Sequence, residues 1–160
     1  MSLEEKEIMQ DYVLISYDIP CTNNKLRMWF VRKLHQLGAI KRTDSDYLIP
    51  YSDKVYELVS KVAEEANVDV WRSHMDDKAT ALEITESYGQ AVLKRLEYIE
   101  LRITMAQDHI NAGRLSAAKK MGIRTGKLLD EVAQISETYH PQWLEPKLME
   151  LVMAWKKLYE

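Results

Sequence analysis

Between Leu82 and Ile110 small and apolar residues return at alternating steps of three and four, and no other feature restricts the fold of this chain so strongly. Leu82, Gly89, Leu96, Ile103 and Ile110 stand seven apart, with Thr85, Val92, Ile99 and Ala106 between them. That is the 3-4 seam of a packed helix sustained over about four heptads. Such a stripe needs other helices to cover it, from the same chain or from a second copy. Gly113 breaks the pattern, and Leu115, Ala118, Gly122, Leu129, Val132 and Ser136 set a second helix that runs to about Tyr139, where His140-Pro141 ends it. Leu148, Leu151, Val152, Trp155 and Leu158 predict a third helix from about Pro146 to Tyr159. Connections this short make antiparallel neighbours. Gly122 and Gly126, four apart, predict a place where another backbone comes close.

Upstream the periodicity changes. Tyr12 to Ile19 reads as a strand, and Thr22-Asn23 offers an N-cap for a helix carrying Leu26, Trp29, Phe30, Lys33, Leu34 and Leu37, which Gly38 stops. Ala39 to Thr43 and Tyr47 to Tyr51 flank the turn Asp44-Ser45-Asp46 as a hairpin. Ser52-Asp53 caps a helix with Val55, Leu58, Val59 and Val62 on one face, and Asn67 leads into a last strand, Val68 to His74. The order βαββαβ is that of a ferredoxin-like sandwich, with both helices on one face of an antiparallel sheet. The expected fold class is therefore α+β: a ferredoxin-like domain at residues 11–78, followed by a helical extension at 79–160 that forms a bundle of about three helices. The open face of the sheet calls for cover from a partner subunit or from the remaining chain. With the heptad seam, this predicts a homodimer, and the helical region is the expected surface for any protein partner.

Composition removes several function classes. The chain has 160 residues, 46% of them hydrophobic, enough for one good core or a small domain with a dependent helical extension. No apolar run approaches the roughly 20 residues that cross a bilayer, and the charged N-terminus lacks a signal-peptide core, so a soluble cytoplasmic protein with no membrane partner is expected. Met1-Ser2-Leu3 reads as an expression-vector scar and is set aside. One cysteine, Cys21, permits no intramolecular disulfide and no cysteine zinc site, and without a local activating base it reads as a quiet thiol. The four histidines, at 35, 74, 109 and 140, include no i, i+3 or i+4 pair. His74 and His109 have no partner that the sequence identifies.

Two sets of residues carry chemistry. Asp18, where the strand Val13-Leu-Ile-Ser-Tyr-Asp-Ile-Pro20 leaves the sheet, is the sharpest catalytic and metal candidate: a strand-end carboxylate suits a hard cation, above all when a two-fold axis brings a second copy near. The opposing reading is that Asp18 or Tyr17 shapes a turn, as Asp44 and Asp46 do. The second set is electrostatic. No acid lies between Asp18 and Asp44, whereas Lys25, Arg27, Arg32, Lys33, Lys41 and Arg42 supply six cations, interleaved with Trp29 and His35. They form a candidate phosphate-contacting surface for DNA or RNA, weighed against a merely solvated helix face; the net charge of −3 argues against indiscriminate polyanion binding. Gly122-Ile-Arg-Thr-Gly-Lys127 is not a phosphate loop, because it is one residue short between the glycines and has neither a following Ser or Thr nor a preceding strand. Trp71, Trp143 and Trp155 are expected as packing anchors.

Tyr12-Val-Leu-Ile-Ser-Tyr-Asp-Ile-Pro20, Leu26-Arg27, Trp29, Arg32-Lys33-Leu34, Leu37-Gly38-Ala39 and Asp46-Tyr-Leu-Ile-Pro50 resemble the N-terminal domain of the chromate-resistance regulator ChrB over about residues 11 to 110. The same core is similar to the ferredoxin-like CRISPR-associated adaptation protein of the second family, a dimer that binds duplex DNA and for which metal-dependent nuclease activity is described. There Tyr17-Asp18-Ile19 matches the strand-end aspartate. The phenylacetate repressor PaaX shares a related core, but its winged-helix reader has no counterpart in this chain. The expected function is a noncatalytic regulatory or assembly module without a cofactor, its sheet and heptad seam making protein contacts and its basic helix open to nucleic acid; the alternative, implied by the adaptation-protein likeness, is a nuclease dependent on Mg or Mn held by paired Asp18 residues.

Overall fold

The computed structural model describes residues 8–159; Met1-Ser2-Leu3 and the side chain of Cys21 lie outside what it describes. Strand β1 (Asp11–Ser16) is built on Tyr12-Val-Leu-Ile15, residues that fit a pleated surface covered on both sides. A 3-10 turn at Cys21–Asn23 leads into helix α1 (Asn24–Leu37), where the Asn23 side chain accepts from the Leu26 N–H at 3.4 Å. Gly38 ends α1 at φ 98°, a left-handed conformation that costs a residue without Cβ little. Strands β2 (Ile40–Thr43) and β3 (Asp46–Pro50) follow as a hairpin, closed by Asp44-Ser45 alone, because Asp46 already pairs with Thr43. Ser52 caps helix α2 (Asp53–Ala66), its Oγ accepting from the Val55 N–H at 3.1 Å, and Asn67 turns the chain at φ 55° into strand β4 (Asp69–His74).

The four strands form one antiparallel sheet in the order β2-β3-β1-β4. Val13 stands opposite Ile49 and Arg72, and Ile15 opposite Tyr47 and Val70, so these residues share a face. That face buries Val13, Ile15 and Ile49 with Phe30 and Leu34 of α1 and Val59 of α2 in one core. The other face takes the start of helix α3 (Lys78–Asn111), so the remaining chain supplies the cover. Ala81, Thr85 and Tyr88 of α3 are buried, and Tyr12 of β1 is buried with them. The Thr85 hydroxyl donates to the Ala81 carbonyl at 2.7 Å, which leaves its oxygen to accept from the Tyr12 hydroxyl at 2.9 Å and from the Met9 N–H at 3.1 Å. Tyr88 donates to the Gly38 carbonyl at 2.7 Å. Asp77 caps α3 by accepting from the Thr80 hydroxyl at 2.7 Å and from the Ala79 and Thr80 amides at 3.3 Å, bonds that hold its carboxyl below the usual range.

The chain divides into two compact units, residues 1–88 and 89–160, and α3 contributes to both. In the second unit the heptad positions Val92, Leu96, Ile99 and Ala106 are buried within a single chain. These four seam positions are thus covered by the chain itself, while Ile103 and Ile110 stay partly exposed. Helix α4 (Leu115–Ser136) buries Ala118, Gly122, Leu129 and Val132, and helix α5 (Leu144–Tyr159) buries Leu144, Leu148 and Leu151. Helix α5 starts two residues before Pro146, whose missing N–H falls in the first turn, where helical amides have no intrahelical acceptor. Aromatic rings, and not a neighbouring backbone, fill the space above the α4 glycines. Tyr159 lies over Gly122 and Trp155 over Gly126, while the Trp155 indole donates to the Gly122 carbonyl at 3.0 Å and Tyr159 to the Ala118 carbonyl at 2.6 Å. Among the described residues no helix is long and apolar enough to cross a membrane.

Two substitutions test this packing by urea unfolding. Tyr88→Phe is expected to cost about 1–2 kcal/mol, the penalty for leaving a buried carbonyl without its donor. Gly122→Ala would drive a Cβ into the Tyr159 ring and is expected to cost about 1–3 kcal/mol through overpacking; unchanged stability would refute the contact.

Candidate nucleic-acid interface

The strand that raised Asp18 as a candidate ends on a buried tyrosine. Tyr17 packs against Phe30 edge to face, with centroids 5.5 Å apart, and against Tyr47 at 5.8 Å. Its N–H donates to the Ser45 carbonyl at 2.9 Å and its hydroxyl to the Asp44 carbonyl at 3.0 Å, so Tyr17 fastens the β2–β3 turn to the end of β1. With Tyr17 turned inward, alternation sends Asp18 outward. Asp18 is exposed and makes no hydrogen bond or ion pair with another described residue. Among the described residues no group of three His, Cys, Asp or Glu side chains is placed to hold a metal ion.

Helix α1 sorts the cations by its period. Phe30 and Leu34 point into the core, so Lys25 and Arg32, seven residues apart, share the opposite face with Met28, which is 56% exposed, between them. Neither Lys25 nor Arg32 forms an ion pair with a described residue. Arg27 and Lys33 leave the helix on opposite flanks. Arg27 is half-buried near the Tyr47 phenol, whereas Lys33 is exposed, and Trp29 packs partly buried against the core. Lys41, on β2, is 3.1 Å from the Asp44 carboxylate, which raises its pKa through that hydrogen bond. Arg42 is exposed and unpaired with any described residue. The structure therefore brings Arg27 and Lys41 to the Tyr47 end, aligns Lys25 with Arg32, and sets Lys33 apart. Lys41, Arg42, Leu48, Thr80, Glu83 and Ser87 also line a groove of about 270 Å³ in the first unit, which sequence reasoning had no means to find.

A polar network at the far end of β1 also went unseen. His74 Nδ1 is 2.9 Å from Asp11 Oδ1 and His74 Nε2 is 3.4 Å from Asp76 Oδ1. Arg72 approaches Asp11 at 3.8 Å and lies over the Tyr51 ring at 3.9 Å, while Tyr51 donates to Asp53 Oδ1 at 2.6 Å. Asp11, Tyr51 and His74 are joined by sheet register across three strand ends, and only the fold reveals that. Trp71 differs from its expected role as a packing anchor: β4 is an edge strand, and the residue is 48% exposed on the sheet. Compared with protein-family models, with curated proteins and with solved structures, the chain matches none.

The buried tyrosine end has a pH signature. Burial pushes the Tyr47 phenol above its ordinary value of 10.0, with Tyr17 adding to the rise while Lys41 and Arg27 oppose it. The unfolded chain then releases this proton at lower pH than the folded chain, so stability falls as pH rises past about 10. Unfolding of Tyr47→Phe, measured from neutral pH into this range, is expected to show a shallower decline than the parent chain; equal slopes would refute the assignment.

Proposed function

We propose that the chain is a noncatalytic regulatory or assembly module that touches nucleic acid through the outward face of α1. One observation carries this reading: Lys25 and Arg32 stand on one helix face, exposed and uncommitted to any described carboxylate, with Arg42 similarly free on β2. Cations that are not engaged in internal pairs are available to phosphates, where each contact releases counterions. The first unit belongs, on this proposal, to the ferredoxin-like sandwiches. Read from its other edge the sheet order is β4-β1-β3-β2, with α1 and α2 on one face, which supports that reading. Helices α3, α4 and α5 form the accompanying bundle, a surface for protein contacts. The module is homodimeric and cytoplasmic and uses no cofactor.

A second reading, a nuclease dependent on Mg²⁺ or Mn²⁺, draws on the exposed, unpartnered carboxylate of Asp18 at the end of β1. Its second carboxylate would come from the Asp18 of another copy.

Titration of labelled single- and double-stranded DNA and RNA at low salt, with manganese present and the probe checked on a gel, separates the two. The leading reading expects salt-sensitive binding without cleavage. In Lys25→Glu/Arg32→Glu, affinity should drop and the salt slope should shrink by about one for each phosphate that the helix no longer neutralises. Cleavage abolished by Asp18→Asn would establish the nuclease instead, and absence of binding would remove both nucleic-acid readings.

A further inference from the structure

We propose that a second copy of this chain adds its β4 to β4, across a two-fold axis perpendicular to the sheet, with Trp71 meeting the partner's Trp71. This rests on the assembly half of the function proposed above and assigns it a surface.

The backbone groups of β4 point alternately toward β1 and away from it. The Met75 N–H donates to the Gln10 carbonyl at 2.7 Å, which fixes the alternation of the β1–β4 ladder. The pairs Tyr12–Ser73, Leu14–Trp71 and Ser16–Asp69 then exchange hydrogen bonds. On the opposite edge of β1 the Tyr51 N–H donates to the Asp11 carbonyl at 3.0 Å, so the odd residues of β1 serve β3, consistent with that alternation. It follows that the N–H and C=O groups of Val70, Arg72 and His74 point away from β1, and among the described residues no backbone group receives them.

The two edges of the sheet are not alike. Strand β2 loses register between Lys41 and Thr43 and carries adjacent exposed cations, features that discourage a further strand. Strand β4 pairs with β1 over six residues in unbroken register and presents Trp71.

Register and charge then select how a second copy is seated. A two-fold axis perpendicular to the sheet preserves its faces, so only residues on the same face can meet. The two symmetric registers that pair most of the strand place Trp71 on the partner's Trp71 or Arg72 on the partner's Arg72. The second sets two guanidinium groups directly opposite, which is unfavourable. In the first, Val70 faces the partner's Arg72, and their outward N–H and C=O groups exchange hydrogen bonds, twice by symmetry. Trp71 falls at a non-hydrogen-bonded position, where Cα atoms come within about 4.5 Å and the rings meet closely. Asp69 faces the hydroxyl of the partner's Ser73. This arrangement covers the exposed indole and satisfies the free edge together.

The test uses the full chain. Light scattering and sedimentation are run from about 10 to about 500 µM, since a short strand edge makes a small interface. The parent chain is expected to dimerise, and Trp71→Arg, a change at an exposed position, is expected to weaken the dimer about tenfold or more with unchanged circular dichroism. In a Cys21→Ser background, Trp71→Cys should oxidise to a disulfide-linked dimer, and Arg72→Cys should do so far less. A parent dimer unaffected by Trp71→Arg, with Arg72→Cys cross-linking as readily as Trp71→Cys, would overturn the edge assignment and leave the assembly reading standing. A parent chain that stays monomeric throughout overturns both.

Discussion

Strand β1 is buried on both faces, and the first unit is organised around satisfying that demand. Val13 and Ile15 face α1 and α2, while Tyr12, between sheet neighbours Pro50 and Ser73, faces the other way and is 1% exposed. A phenol placed so deep needs a hydrogen-bond partner, and Thr85 supplies it from α3. Burial raises the Tyr12 phenol above its ordinary range, and the bond to Thr85 works against that rise. The compact first unit therefore extends to Tyr88, ten residues beyond where the helix begins to look like a separate element. A sheet of this kind is closed by whatever follows its last strand, so the helical extension is partly a component of the α+β core.

The same allocation of contacts decides what the end of β1 can do. Tyr17 is committed three ways, to Phe30, to Tyr47 and to the Asp44 carbonyl, which makes it a structural rivet and leaves Asp18 facing solvent. A lone exposed carboxylate holds a hard cation weakly, because nothing shields it from water or adds a second charge. Cations on α1 stand in the reverse position: being exposed does not weaken their attraction for a phosphate backbone, whose charge density supplies what a single carboxylate lacks. On the proposed reading, that contrast ranks the α1 face above the strand end.

Much of the fold was legible because its signals are local. Asn23, Ser52, Gly38 and Asn67 mark the ends of α1 and α2 through capping side chains and left-handed backbone, and each can be recognised one residue at a time. The heptads of α3 were equally plain, yet periodicity shows only that a stripe is buried and not which chain buries it. Val92, Leu96 and Ile99 turned out to be covered within one chain. Gly122 and Gly126 misled in a related way, since a missing Cβ announces space without saying that Tyr159 and Trp155 fill it. The candidate site was legible as a set of charges but not as a surface. Helical phase separates Lys25 and Arg32 from Arg27 and Lys33, while the pairing of Lys41 with Asp44 and the Asp11–His74 contact depend on strand register.

Strand β4 shows where such register information turns into a statement about assembly. Its sequence, Asp-Val-Trp-Arg-Ser-His, alternates too weakly to declare an inner and an outer face, and its exposure in the sheet reflects position more than composition. An edge strand that must remain solitary is usually interrupted, twisted or armed with charge, as β2 is at Lys41 and Arg42. At its centre β4 carries a tryptophan, the residue with most to gain from being covered, beside an arginine whose side chain is already engaged with Tyr51 and Asp11. Among the described residues no backbone group receives the outward N–H and C=O groups of Val70, Arg72 and His74, and on the proposed pairing a matching strand answers them more completely than water does.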